Sequence, residues 1–264
     1  MNCIEFVNVS FRYPNGTLAN ENLNLKICQG ERVAIIGQNG AGKTTAVKLM
    51  NRLNKPTEGD VLVNGVNTKE KTTAQISAIV GYVFQNPDDQ IFKNTVKDEI
   101  EFWARYNQLD EDDINRRSLR AAKLSGIEKY FSYNPYEIPY STKKFVSIAS
   151  VLIAQTPYLI LDEPTAGQDM AGVECLVNLM DELQKEGKTV ITITHDMEFV
   201  AGHFKRVVVM AHKNIIADGT PEEVFSNDTI LREAKVRKPQ ICQLSNRLGM
   251  GNVMQSSELV KKLR

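Results

Sequence analysis

The run Gly37-Gln38-Asn39-Gly40-Ala41-Gly42-Lys43-Thr44-Thr45 carries the most specific chemistry in this 264-residue sequence. It follows the pattern G-x-x-x-x-G-K-[ST], in which successive backbone N–H groups curl around phosphate oxygens. The glycines permit the tight curl, and the helix that follows points its positive end at the same anion. Lys43 would reach the β- and γ-phosphates, and the Thr44 hydroxyl would ligate Mg²⁺. Gly37, Asn39, Gly40, Ala41, Gly42 and Thr45 form the rest of the cradle. The ligand these residues call for is a magnesium–nucleoside triphosphate.

Other residues extend that chemistry. Leu159-Ile160-Leu161-Asp162-Glu163 is an apolar strand ending in two carboxylates. Asp162 at the strand tip would face the magnesium shell, and Glu163 beside it would polarise an attacking water. His195 directly follows the strand Thr189–Thr194, an expected place at the same sheet edge as the loop, where it would sense the γ-phosphate. Gln85 follows a strand ending at Phe84, and its amide would ligate magnesium or water. Asp169 opens a helix and suits an N-cap. Tyr13 suits either stacking on a nucleotide base or packing in the Tyr13-Pro14-Asn15-Gly16 turn.

These residues need a particular frame. Leu23, Leu25 and Ile27 alternate with polar neighbours, as in a half-buried strand. Arg32–Ile36 is a short apolar strand running into the glycine loop, and Ala46, Val47, Leu49, Met50 and Leu53 then recur at helical spacing. Two strands, Asp60 to Val66 and Ala78 to Phe84, follow. From about Asn86 to Thr156 the chain is charged and helical in period. Strands return at Tyr158–Leu161 and Thr189–Ile193 around a helix from Met170 to Lys185, an alternation that implies a parallel sheet with helical crossovers. Arg206 to Met210 and Asn214 to Ala217 read as a closing hairpin. Ile230 to Arg264 reads as two or three short helices.

Composition narrows the function classes. Lys+Arg and Asp+Glu are equal at 32 each, which gives no polyanion-binding signal, so no nucleic-acid partner is expected. No run approaches the roughly 18 apolar residues of a membrane span. Phe145 to Ala154 is short and interrupted by Ser147 and Ser150. The opening Met-Asn-Cys-Ile-Glu shows no secretory signal. Cys3, Cys28, Cys175 and Cys242 are scattered, as in a reduced cytosolic chain with unpaired thiols.

Taken in order, Tyr13, the 37–45 loop, Gln85, Leu161-Asp162-Glu163-Pro164, Ala166-Gly167-Gln168-Asp169 and His195 resemble an ABC-type ATPase from about residue 3 to residue 226. The resemblance implies a base-stacking Tyr13, ATP and Mg²⁺ as cofactors, Gln85 as a metal-sensing loop residue, Glu163 as catalytic glutamate and His195 as switch histidine. Its implied fold is α/β: a P-loop NTPase core whose mixed sheet has an antiparallel N-terminal β part, an inserted helical subdomain and a small C-terminal helical appendage. The expected domains are 1–228, with the helical insertion at about 86–157, and 229–264. Phe11-Arg12-Tyr13-Pro14, the stretch Val83 to Phe92 with Asn86-Pro87-Asp88-Asp89-Gln90, and Gly219 to Phe225 look like the ATPase subunits of energy-coupling factor importers of vitamins or transition-metal ions. Such a subunit implies an integral-membrane coupling protein and a substrate-capture protein as partners, and a place on the cytoplasmic face of the membrane. Asp88 and Asp89 beside Gln85 would either receive basic residues of the coupling protein or form a solvated loop.

One element departs from the family pattern. ABC ATPases carry Leu-Ser-Gly-Gly-Gln at a helix start, and the corresponding stretch here is Ile138-Pro139-Tyr140-Ser141-Thr142. Family members use that serine and those glycine amides to grip the γ-phosphate of ATP on the opposite subunit. Pro139 supplies neither a hydroxyl nor an N–H, and Tyr140 adds bulk where a glycine admits a close approach. Phe145 also stands where the family has an arginine. A second ATPase subunit with an intact signature is therefore the expected partner, in a heterodimer. The alternatives are an ATP-binding clamp with weak hydrolysis and a soluble ABC ATPase outside transport.

Overall fold

The computed structural model describes residues 2–263; Met1 and Arg264, the outer ends of the two expected domains, lie outside the described residues. The first part of the chain runs β1 (Cys3–Arg12), β2 (Leu18–Cys28), β3 (Arg32–Ile36), α1 (Lys43–Met50), β4 (Glu58–Val63), β5 (Val66–Asn67), α2 (Thr73–Ser77) and β6 (Val80–Val83). Next come α3 (Val96–Tyr106), α4 (Glu111–Leu124), α5 (Tyr140–Leu152), β7 (Tyr158–Asp162), α6 (Met170–Lys185) and β8 (Thr189–Ile193). The last part is α7 (Met197–His203), β9 (Arg206–Ala211), β10 (Asn214–Gly219), α8 (Pro221–Ser226), α9 (Asp228–Ala234), α10 (Gln240–Arg247) and α11 (Ser256–Leu263). The chain divides into two compact units: one ends at Thr73 and resumes at Ile191, and the other is Ala74–Val190.

The first unit holds a four-stranded antiparallel sheet in the order β2-β1-β4-β5. Ile4 stands opposite Ile27 and Val63, and Phe6 opposite Leu25 and Val61, so alternation along each strand sends one set of apolar side chains inward. The expected single strand Asp60 to Val66 is instead a hairpin. Asn64 and Gly65 adopt φ of 53° and 79°, and Asn-Gly accommodates the two left-handed residues of a tight primed turn. The same unit contains β3, buried throughout, with parallel β9 on one side and β8 on the other. β9 and β10 close as the expected hairpin. Helix α8 opens on a capping box between Thr220 and Glu223. The helices after it are tied back by Asn252, whose side-chain amide donates to Ser226 Oγ at 2.7 Å.

The second unit pairs β6 and β7 in parallel, from Val80 opposite Tyr158 to Val83 opposite Leu161, with every residue of both strands buried. Helices α3, α4 and α5 occupy the stretch expected to be helical. Thr95 caps α3 and Asp110 caps α4, and acidic residues in both first turns suit the positive ends of the helices. Glu101 on α3 is fully buried; its carboxylate accepts from Arg105 at 2.6 Å and from Ser118 Oγ at 3.2 Å. The four cysteines are free thiols. Arg105→Met removes the principal cation from a buried carboxylate, and urea denaturation should record a loss of about 2 kcal/mol, discounted for the half-exposed arginine.

Candidate nucleotide site

The loop after β3 is built from backbone shapes that only glycine takes easily. Gly37 has φ 146°, and a Cβ there would lie 2.1 Å from the Met210 carbonyl oxygen. Gly42 has φ 99°, and a Cβ there would lie 2.4 Å from both Ala19 O and Asn20 Nδ2. Buried Asn20 explains that second contact: its Nδ2 donates to Gly42 O at 3.1 Å and pins the loop to β2. The Lys43 ammonium is buried and donates to Gly37 O at 2.8 Å and Gln38 O at 3.0 Å. Its Nζ also lies 3.4 Å from His195 Nε2, so the loop and the histidine after β8 meet as the sequence order implies. Asn39 and Gly40 are exposed, Ala41 and Thr45 are buried, and Thr44 is half-buried. Helix α1 has no acidic residue in its first turn and no side-chain cap, which leaves its positive end for an anion. Tyr13 stands beside it, its hydroxyl 2.9 Å from Thr45 Oγ1 and its ring edge-on to Phe11.

In the second unit, β7 ends at Asp162, and the chain turns at once through Glu163 with a left-handed φ of 49°. Tyr82 on β6 donates to Asp162 Oδ2 at 2.7 Å. Burial, followed by the Asp162 charge and this hydrogen bond, holds the Tyr82 hydroxyl well above the ordinary phenol range. The other carboxylate oxygen, Asp162 Oδ1, is buried without a protein donor. The Lys144 ammonium donates to the backbone carbonyls of Glu163 and, at 3.0 Å, Ala166. Burial lowers its affinity for a proton, partly offset by the charges of Glu163 and Asp162.

Gln85 is exposed at the end of β6. The turn after it is organised by Gln90, which accepts from Phe84 N at 3.1 Å and donates to Ser147 O at 2.8 Å and Ser150 Oγ at 3.0 Å. Asp88, expected either to meet a partner or to be solvated, is exposed and pairs with Lys143 at 2.9 Å, and Asp89 is exposed as well. Asp169 caps α6 as expected, accepting from Gly172 N at 2.8 Å. No motif in the sequence marks Asn20, Tyr82 or Lys144. The signal available for each is a polar side chain inside a buried strand or helix face, which does not name its partner.

Each unit, taken by itself, carries part of the chemistry a magnesium nucleotide calls for. The orphaned Oδ1 of Asp162 suits a cation, and the loop suits phosphate. Among the described residues no three His, Cys, Asp or Glu side chains converge on a ready-made metal cluster. A buried strand, a glycine loop with its lysine folded inward and an uncapped helix together define a nucleoside-triphosphate-binding α/β protein of the P-loop class.

Comparison with known proteins narrows the class. The family model for the ABC transporter matches residues 20–166. The energy-coupling factor transporter ATP-binding protein EcfA of Methanocaldococcus jannaschii is 38% identical over 246 residues, covering 92% of this chain and 88% of its own. CbiO1 of Clostridium perfringens, described as part of the ABC transporter complex CbiONQ, superposes with a TM-score of 0.79 at 35% identity, covering 93% of this chain and 99% of that one. An ATP-binding cassette solved as a dimer with ADP and Pi gives 0.76 at 25% identity, covering 83% and 98%. The chain belongs to the ABC transporter ATP-binding family, and it is an ATPase that works on ATP with Mg²⁺. Among the described residues no helix is long and apolar enough to cross a membrane.

Two substitutions test the geometry. Tyr82→Phe leaves a buried carboxylate short of a donor and should cost about 1–3 kcal/mol in denaturant titration. Gly42→Ala should lower stability by roughly 2 kcal/mol or more and weaken binding of a fluorescent ATP analogue, because both φ and contacts oppose a methyl group there.

Proposed function

We propose that this chain is one of two different ATPase subunits that power an energy-coupling factor importer from the cytoplasmic face of the membrane. Its cargo would be a vitamin or transition-metal ion delivered by a separate substrate-capture protein, through an integral-membrane coupling protein. The observation that carries the reading is an imbalance within one chain: the nucleotide-holding residues are all kept, while the start of α5 lacks the means to grip a second nucleotide. Pro139 sits at the N-cap of α5 with no side-chain cap, and bulky Tyr140 is the first helical residue. The likeness to EcfA and CbiO1 supports the importer class.

In this reading Lys43 and the amides from Gly37 to Thr45 bind the phosphates, with Asn39, Gly40, Ala41 and Gly42 shaping the cradle. Thr44, Gln85 and Asp162 hold Mg²⁺, and Tyr13 stacks on the base. The bound ion supplies charge neutralisation at the phosphates. Glu163 orients and polarises the attacking water, and His195 contacts the γ-phosphate. The helix start that completes this site comes from the other ATPase subunit, and ATP-driven closure moves the coupling protein.

A second reading, an ATP-binding clamp with weak turnover, is favoured by Pro139 and opposed by the retention of Glu163 and His195. The two separate in one experiment. With both ATPase subunits present, Glu163→Gln should reduce turnover by about 100-fold or more and trap ATP. An unchanged rate would favour the clamp. The chain alone should hydrolyse ATP at least about tenfold more slowly than the two-subunit assembly, because one half of the site is missing.

A further inference from the structure

We infer that Lys144, on the first turns of α5, is a positioning residue for Glu163, acting within its own chain. The inference rests on the proposed role of Glu163 in hydrolysis. Glu163 occupies a left-handed backbone conformation at φ 49°, which a non-glycine residue holds only where its surroundings over-determine it. The Lys144 ammonium supplies that constraint. It donates to the carbonyl of Glu163 and to that of Ala166 at 3.0 Å, bracketing Pro164 and Thr165 like a staple. Lys144 is itself almost fully buried, so these carbonyls are fixed partners in place of water.

Two neighbours on α5 contact the same segment. The Gln168 side chain donates to Ser141 O at 3.1 Å. The Tyr140 ring covers Gly167, where an added Cβ would come within 3.3 Å of it. Tyr140, Ser141 and Lys144 thus all engage residues 163–168. This helix start departs from the family pattern and is tied to the glutamate segment of its own chain. Rotation of the Glu163 backbone would swing its carboxylate, and a misplacement of that kind lowers the rate of the chemical step with little effect on how tightly nucleotide is held.

The test uses the whole 264-residue chain together with the second ATPase subunit and Mg-ATP, and compares Lys144→Met, Lys144→Arg, Glu163→Gln and the Lys144→Met/Glu163→Gln pair in this chain. Lys144→Met should reduce kcat by about tenfold or more with KM for ATP within about twofold. Lys144→Arg, which keeps a cationic donor, should recover most of that loss. Once Glu163 is glutamine, adding Lys144→Met should change the residual rate by less than about twofold, because both act through one group. Hydrogen exchange at residues 163–169 should quicken in Lys144→Met while the 37–45 loop is unchanged. If the methionine variant melts more than about 5 °C lower, Lys144→Gln is read in its place by the same criteria. A wild-type kcat in Lys144→Met, or a loss that multiplies in full on Glu163→Gln, overturns the proposal. A Glu163→Gln chain that keeps the wild-type rate instead overturns the role of Glu163 itself, so the two failures are told apart.

Discussion

The Lys43 ammonium, buried against the carbonyls of Gly37 and Gln38, folds the glycine loop around a cation of its own. A charge removed from water needs fixed partners, and here the partners are the backbone of the loop it belongs to. The same constraint recurs after β7, where Asp162 takes the Tyr82 hydroxyl on one oxygen and keeps the other without a protein donor. Lys144 repeats it with the carbonyls of Glu163 and Ala166. Each of these three charges therefore fixes the backbone or side chain of a residue that the proposed mechanism uses.

Backbone conformation is the second half of that constraint. Gly37 and Gly42 take positive φ where a side chain would strike Met210 or β2, so glycine is needed at both positions. Glu163 has no such freedom, and its left-handed φ is held by neighbours distant in sequence. The loop is therefore set by its own glycines together with the Asn20 pin from β2, and the glutamate turn by contacts from α5. The predicted insensitivity of the loop to changes at Lys144 follows from that difference.

The same difference explains what was legible in the sequence. The 37–45 loop, α6 from Met170 to Lys185 and β8 from Thr189 to Ile193 fall where local pattern places them, because their periodicity and caps are written in adjacent residues. His195 meets Lys43 because strand order carries it there. The break between β4 and β5 escaped the hydrophobic pattern, since Val61, Val63 and Val66 read as one run while Asn64-Gly65 quietly supplies a turn. Tyr82 and Asp162 are 80 residues apart, and Lys143 and Asp88 are 55 apart. No local pattern names such a pair, and the Lys143 that meets Asp88 lies on α5, far along the chain.

The proposed division of labour, in which this chain holds ATP but has lost the helix start that closes over a second one, is tested most directly by association state. Sedimentation equilibrium of the Glu163→Gln chain with Mg-ATP removes hydrolysis and reads closure alone. A monomer by itself, converting to a dimer only when a second ATPase subunit with an intact signature is added, is the result expected. A stable ATP-dependent dimer of this chain with itself would contradict it.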